Sequence, residues 1–417
     1  MTEPLPRPKR KNPQARTRSP TRPPELRSRA ALGLTAAAAE GRFALQRCAG
    51  CGGFLYPPRD ACAHCLSTDL RWTDADPMGE LLAETTVHVS PRLYFRERAP
   101  WRVGTVALDA GPVILAHLHP DLPRRARVRI EARLDRSGQA VLVALPQTPT
   151  PHMEEAPLMR ELSADPRHRR VLIADARAPN AAALAAALRD AGAAEIFAGE
   201  AEGWRSHPGR AALEALGVHV LPLDVTDTSS VRELAGEIGG KTDILIANAR
   251  FIRPGGALAR ADTAFARDEI EVNYLGLMRL AQAFGPAMCA RTADGINSAV
   301  AWVNILSVNA LSAAPEFGGF CASQAAAHSL SQTLRAEFRD AGLRVMNVYT
   351  GPTEDDWHQP LPPPKVTPEA LARATIDGLK RGLEDVWCGD IACDFRDRFR
   401  RDPRVLERET TMGGEGP

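Results

Sequence analysis

The chain has 417 residues, with 52 Lys and Arg against 51 Asp and Glu and a formal net charge of +1 at pH 7, enough length for two domains with real cores, or three if one is small. The balanced charge argues against nucleic acid as the main partner, because phosphate binding needs a surplus of cations on one face. No stretch reaches the ~18 uninterrupted apolar residues of a membrane helix, and the first thirty residues lack the apolar centre of a secretory signal, so a cytoplasmic location is expected.

Residues 1–30 read as a disordered basic, proline-rich tail. Arg7, Lys9, Arg10, Lys11, Arg16, Arg18, Arg22, Arg27 and Arg29 sit among prolines with almost no apolar neighbours, too little surface to fold alone. The alternative is a docking arm for an acidic partner. Residues 31–47 look helical, with Leu34 and an alanine run ahead of Gly41, and a helix-and-ribbon module is expected over 31–78.

Five short runs rich in β-formers follow, at 81–89, 102–108, 113–118, 128–132 and 140–145, separated by turns such as Asp109-Ala110-Gly111. They predict a small barrel over 79–146. His117 and His119 fall on one strand face, expected to be solvated. Prolines and mixed charge mark 147–169 as a linker or an outer helix.

From 170 the rhythm changes. Strand-like runs at 171–174, 195–198, 218–223, 243–247, 301–306 and 343–349 alternate with helical patterns at 181–191, 229–238, 275–288 and 322–339. Such alternation predicts a doubly wound α/β domain over 170–400, a parallel sheet with helices on both faces. A further amphipathic helix is expected over 367–383 and a charged C-terminal tail over 401–417.

Two cysteine pairs carry the plainest chemistry. Cys48-Ala-Gly-Cys51 and Cys62-Ala-His-Cys65 each bend the backbone so that two thiolates converge, and together they offer four sulfurs to one tetrahedral zinc. With all four positions filled by protein, the metal is expected to be structural. A redox or free-thiol role competes, but two such pairs by chance are improbable. Arg47 and Arg59 would offset the negative charge, and His64 could replace a thiolate. Cys289, Cys321, Cys388 and Cys393 read as small core residues.

The order Gly41-Arg-Phe-Ala-Leu-Gln-Arg-Cys48, Pro57-Pro58-Arg59, the second cysteine pair, Ser67-Thr68-Asp69-Leu70 and then a small barrel resembles the zinc-ribbon/OB-fold proteins associated with acyl-CoA metabolism, over about residues 31–145. That resemblance implies an accessory subunit that binds a thiolase-like enzyme and helps shape its acyl-CoA channel. Tyr94, Phe95 and Trp101, interleaved with Arg92, Arg96 and Arg98, fit a CoA or protein contact, or equally loop aromatics packed on the barrel.

The second half is similar to the short-chain dehydrogenase/reductase (SDR) family, a Rossmann-type nucleotide-binding fold. Asp224-Val-Thr-Asp227 matches its third-strand turn, and Ala247-Asn248-Ala249 stands where the family has Asn-Asn-Ala-Gly. Asn273 matches the helix asparagine, Ser307 the catalytic serine, and Gly351-Pro352 the turn after the sixth strand. The resemblance implies that Asp224 and Asn248 would face a bound nucleotide. It also implies dimers or tetramers, with Ala326, Leu330, Leu334 and Phe338 as a stripe for the core or for a subunit interface.

Three departures remove the chemistry. Family members open with TGxxxGxG, where glycines let the backbone approach the pyrophosphate; here the register reads Asp175-Ala176-Arg177-Ala178-Pro179-Asn180-Ala181-Ala182. Phe320 stands at the proton-donating tyrosine and Gln324 at the lysine that lowers that tyrosine's pKa. Phenylalanine cannot exchange a proton, and a neutral amide cannot stabilise a phenolate. Tyr274 and Tyr349 are out of register to substitute. Asn273 and Ser307 are then expected as remnants, the asparagine bridging backbone groups and the serine capping a strand end.

The favoured expectation is a cytoplasmic accessory protein, a homo-oligomer by family habit, whose SDR-like domain reduces nothing. The competing one is an NAD-dependent oxidoreductase acting on 3-hydroxyacyl or 3-ketoacyl thioesters, with Glu200 favouring NAD over NADP. A ligand sensor is a third.

Overall fold

In the computed structural model, which describes residues 1–8, 18–295 and 298–412, the helix expected over 31–47 stops early. Helix α1 covers Leu32–Ala39, and Gly41, at φ +72°, takes a left-handed turn that ends it. Residues Ala44–Cys48 are instead strand β1, because Ala44 and Leu45 bury completely when the strand is paired on both edges. Its partners are β2 (Phe54–Leu55) and β3 (Leu70–Asp74), both antiparallel, which makes the three-stranded ribbon β2-β1-β3.

The barrel comprises β4 (Met78–Val87), β5 (Trp101–Leu108), β6 (Val113–Leu118), β7 (Arg127–Leu134) and β8 (Ala140–Pro146), with the short helix α2 (Leu93–Glu97) between β4 and β5. It closes in the order β4-β5-β6-β8-β7. Alternate side chains fill it: Val106 and Leu108, Ile114, Ala116 and Leu118, Val128 and Ile130, Leu142 and Ala144, as a two-residue period demands.

The other face of β8 is covered too. Val143 and Leu145 pack against Met153, Ala156, Met159 and Leu162, so of the two readings of 147–169, linker or outer helix, the structure has the second, an outer layer carrying α3 (Pro157–Glu161). His119 is also buried, 0% exposed, with its Nε2 3.0 Å from the Met153 carbonyl. His119 is therefore not solvated as expected, because this layer lies over it, while on β6 itself Val113 and Leu115 are exposed and His117 is half-buried.

The described part of the basic tail is not free either. Buried Ser137 donates its hydroxyl to the Pro23 carbonyl at 3.0 Å, and Arg27 pairs with Asp135 at 3.4 Å. Prolines have little conformational freedom to lose, so a few such anchors hold the segment down. Lys9, Arg10, Lys11 and Arg16 lie outside the described residues. Residues 1–7, 20–165 and 380–384 gather in one compact unit, and, among those described, 8, 18–19, 166–379 and 385–412 gather in a second.

The second unit is a seven-stranded parallel sheet. In chain order it runs β9 (Arg170–Ile173), α4 (Ala181–Asp190), β10 (Glu195–Glu200), α5 (Gly209–Ala215), β11 (His219–Pro222), α6 (Thr228–Ile238) and β12 (Ile244–Ala247). Then come α7 (Ala264–Ile270), a π-helical turn (Glu271–Gly276), α8 (Leu277–Cys289), β13 (Ala301–Ser307), α9 (Gly318–Phe338) and β14 (Arg344–Thr350). With β15 (Asp385–Cys388) at the far edge, strand order is β11-β10-β9-β12-β13-β14-β15, so the order reverses between β9 and β12, where doubly wound sheets bind ligands.

Helix α10 (Pro368–Arg381) leads to β15 (Asp385–Cys388), a four-residue edge strand that carries too little pattern to be read in the sequence; Val348 pairs with Val386. Helices α11 (Asp390–Arg401) and α12 (Pro403–Thr411) follow. The tail expected from 401 is therefore helical to 411: the Asp402 carboxylate caps α12 and Leu406 is buried. Residues 413–417 lie outside the described residues. Of the stripe on α9, Leu334 and Phe338 lie in the main core and Leu330 packs against it, while Ala326 is half-buried outside that cluster. Among the described residues, no helix is long and apolar enough to cross a membrane.

Candidate metal centre and nucleotide cleft

The ribbon brings Cys48, Cys51, Cys62 and Cys65 together, with all four sulfurs within 4.8 Å of one another. Cys48 Sγ lies 3.5 Å from Cys65 Sγ, and Cys51 Sγ 3.7 Å from Cys62 Sγ. A tetrahedron with zinc–sulfur bonds of about 2.3 Å has edges of about 3.8 Å, so the donor set and spacing fit zinc. Each knuckle is closed by backbone bonds: the Gly52 N–H donates to the Cys48 carbonyl at 2.8 Å, the Leu66 N–H to the Cys62 carbonyl at 3.1 Å. Gly52 and Leu66 both take positive φ, the left-handed step a tight knuckle needs.

The same backbone aims donors at sulfur. The Cys51 N–H first of all, against the opposing effect of burial, holds the Cys48 thiol down at about 6, and the Cys65 and His64 N–H groups lower Cys62. Both are thereby readied to bind metal as thiolates. His64 contributes this N–H, at 3.4 Å from Cys62 Sγ; its ring is outside the cluster. Arg47 spends its Nε on the Gly52 carbonyl, 3.1 Å away.

In the second unit the positions expected to meet a nucleotide are each engaged with other protein groups. Asn248 Oδ1 accepts from the Asp175 N–H at 2.8 Å, while its Nδ2 donates to the Asp175 carbonyl at 2.9 Å and to Asn180 Oδ1 at 3.0 Å. The loop before α4 is thus stitched to the end of β12. Asp224 Oδ1 accepts from the N–H and hydroxyl of Thr226, at 2.8 and 2.7 Å. Glu200 is buried and paired with Arg210.

Around the foot of α9, Asn273, Ser307, Phe320 and Gln324 do come together. The π-helical turn widens the helix at Asn273, whose side chain bonds both the N–H and the carbonyl of Phe251 at 2.8 Å, and Ser323 Oγ at 2.8 Å. Gln324 Oε1 accepts from the Ser307 N–H at 2.8 Å, and Ser307 Oγ accepts from the Asn309 N–H at 3.1 Å. Phe320, fully buried, packs with Ile252, Phe317 and Cys321. The cavity that Asn273 and Gln324 line measures about 20 Å³, room for a water and not for a nicotinamide ring. Tyr349 is deep in the core, its hydroxyl 2.8 Å from His328 Nδ1.

One constellation escaped the sequence reading. Arg250, just past β12, reaches to the loop after β14, where its Nη2 donates to Asp355 Oδ2 at 2.6 Å and to Thr353 Oγ1 at 3.0 Å. His358 Nδ1 lies 2.8 Å from Asp355 Oδ1. Burial pushes the Asp355 carboxyl up, but the His358 bond and the Arg250 charge outweigh it and hold it below the usual carboxylate range. Arg253 lies over Trp357, 3.9 Å from the ring centroid. Together these join the two loops at the carboxyl ends of β12 and β14. The signal was present at position 250, where the resembling family's Asn-Asn-Ala-Gly has its glycine.

In the first unit Tyr94 is buried rather than exposed, with Arg98 3.9 Å over its ring. Phe95 stacks on Trp101 at 5.1 Å.

A zinc-binding ribbon leading into an OB-type barrel, joined in one chain to a doubly wound α/β domain, defines the class of protein. Residues 35–71 match the ChsH2 rubredoxin-like zinc ribbon domain, 72–139 the ChsH2 C-terminal OB-fold domain, and 171–365 the short chain dehydrogenase family. The chain is a fusion of a ChsH2-type zinc-ribbon/OB-fold module with a short-chain dehydrogenase domain.

An uncharacterized oxidoreductase of Mycobacterium tuberculosis is 32% identical over 170 residues, 39% of this chain and 48% of that protein. A short-chain dehydrogenase of Penicillium ochrochloron is 33% identical over 138 residues, 32% of this chain and 47% of its own length. The chain thus spans about half the length of the curated relatives it matches. Among solved structures, a short-chain dehydrogenase from Burkholderia cenocepacia in complex with NADP is similar, with a TM-score of 0.51, 27% identity, and coverage of 60% of this chain and 98% of that one.

Proposed function

We propose that the chain is an accessory protein of acyl-CoA metabolism, in which the zinc-ribbon/OB module serves a thiolase-like partner and the SDR-like domain transfers no hydride. One observation carries the reading: Phe320 occupies the proton donor's place, fully buried among apolar side chains, so no group there can exchange a proton with a substrate. The cofactor side agrees. As arranged, Asn248, Asp175 and Asn180 bond one another where a pyrophosphate would need open backbone, and the Arg250–Asp355 contact joins the loops beside the nicotinamide position. These residues do not fit a dinucleotide, and no chemical step is derived through one. The zinc, held by four thiolates with no open position, serves the ribbon's fold.

The test is a titration of the full chain with NADH and with NADPH, followed by nicotinamide fluorescence. No saturable binding is expected through the micromolar range; a micromolar Kd for either would overturn the reading. Co-purification with a thiolase is the positive counterpart.

The second reading, an NAD-dependent oxidoreductase acting on acyl thioesters, draws on the likeness to a structure that holds NADP. It requires the Asn248 and Arg250 contacts to open, and the same titration decides it.

A further inference from the structure

Beside the barrel, the first unit carries a cavity of about 900 Å³, within the range of roughly 300–1,000 Å³ typical of small-molecule sites. Its wall is mainly apolar: the stacked Phe95–Trp101 pair on one side, Leu158 of α3 on another, and Pro23 and Pro24 of the N-terminal segment along a third.

The charges in this wall are already matched. Arg27 pairs with Asp135 at 3.4 Å, Arg98 with Glu161 at 3.0 Å, and Arg102 with Glu84. Glu97 accepts from the Thr21 hydroxyl at 2.6 Å and lies 3.7 Å from Arg98. An anionic ligand would have to break one of these pairs to find a counter-charge, at the cost of leaving a desolvated carboxylate behind.

His117 is different. Its neighbours Ala116 and Leu118 belong to the barrel core, so strand alternation turns the imidazole outward to the cavity. Among the described residues it has no hydrogen-bond partner. Burial lowers its pKa, so at pH 7 it is neutral, one N–H donor and one acceptor nitrogen.

We propose that this cavity binds a neutral, largely apolar small molecule bearing one hydrogen-bonding oxygen, which His117 holds while the apolar body lies against Phe95 and Trp101. The inference goes beyond the accessory role proposed above and is independent of it, since it concerns only the barrel unit and holds whether or not the second unit reacts.

The test uses the full zinc-loaded chain and Nile red, a neutral apolar dye whose fluorescence rises on burial, with 2-undecanone and decanoate as competitors at pH 8. Saturable binding of one dye per chain is expected, with the ketone displacing it at a concentration at least tenfold below that needed for decanoate. Leu158→Trp, which narrows the cavity at α3, should weaken dye binding. His117→Phe, which keeps the bulk and removes the hydrogen bond, should weaken the ketone about tenfold relative to the dye. Zinc content and Tm check that each variant folds; if Leu158→Trp does not, the competitor pair on the native chain and His117→Phe decide. Equal competition by decanoate, an unchanged ketone affinity in His117→Phe, or unchanged dye affinity in a folded Leu158→Trp would each overturn the proposal.

Discussion

At position 324 a neutral amide accepts the buried Ser307 N–H at 2.8 Å, and its value can be read by removing it. Gln324→Ala leaves that N–H without an acceptor, so a loss of about 1–3 kcal/mol is expected, measured by urea unfolding. Restoring the family residues should not restore the reaction. Phe320→Tyr places a hydroxyl among Ile252, Phe317 and Cys321, and Gln324→Lys puts an ammonium where the structure supplies a backbone donor, so the double variant should be less stable than the native chain. With acetoacetyl-CoA and NADH it should show only background turnover, because the Asn248 and Arg250 contacts persist. Turnover well above background would sink the non-catalytic reading. Phe320 and Gln324 were legible because they are identities at fixed spacing from Ser307. The environment of His117 and His119 was not, since a strand's alternation says which residues share a face and not what covers it.

Between elements, the Arg250–Asp355 contact ties the loop after β12 to the loop after β14. Removing one member of a buried ion pair costs about 3–5 kcal/mol; Arg250 keeps 20% of its side chain exposed, so about 2 kcal/mol is the expected loss for Asp355→Ala. The sign of the pH dependence follows from the depressed carboxyl. The contribution is complete above the ordinary aspartate pKa of about 3.9 and fades as pH falls through the lower folded value. The part of the variant's deficit in urea that comes from the Asp355 carboxylate should therefore persist at pH 5 and be lost only in stronger acid. A deficit that vanished already at pH 5 would contradict this assignment. Such a contact is hard to read in a sequence because its partners lie on separate loops, brought near only by the strand order. Periodic elements were easier: the β13 and β14 strands and the α9 helix carry their own pattern. Gly41 and a four-residue edge strand do not, and the sequence reading ran α1 through the first and missed the second.

Each of the two units has its own apolar cluster, one filling the barrel and one covering the parallel sheet. A protein built this way is expected to melt in more than one step. Chelation with EDTA should lower the transition of the ribbon-bearing unit and leave that of the sheet unchanged in calorimetry, with one equivalent of zinc per chain by elemental analysis before treatment and none after. Cys48→Ser should reproduce the chelated profile. A single transition that shifts as a whole on chelation would show the two units to be thermodynamically one.

The four sulfurs do not face water equally: Cys48 and Cys62 are buried, Cys51 and Cys65 exposed. Peroxide therefore meets the outer pair first, and losing either of these thiolates to sulfenic acid opens the tetrahedron from outside. Metal departure under oxidative stress then becomes a matter of kinetics at two surface atoms rather than of overall affinity, and alkylating agents should mark the outer pair before the inner one.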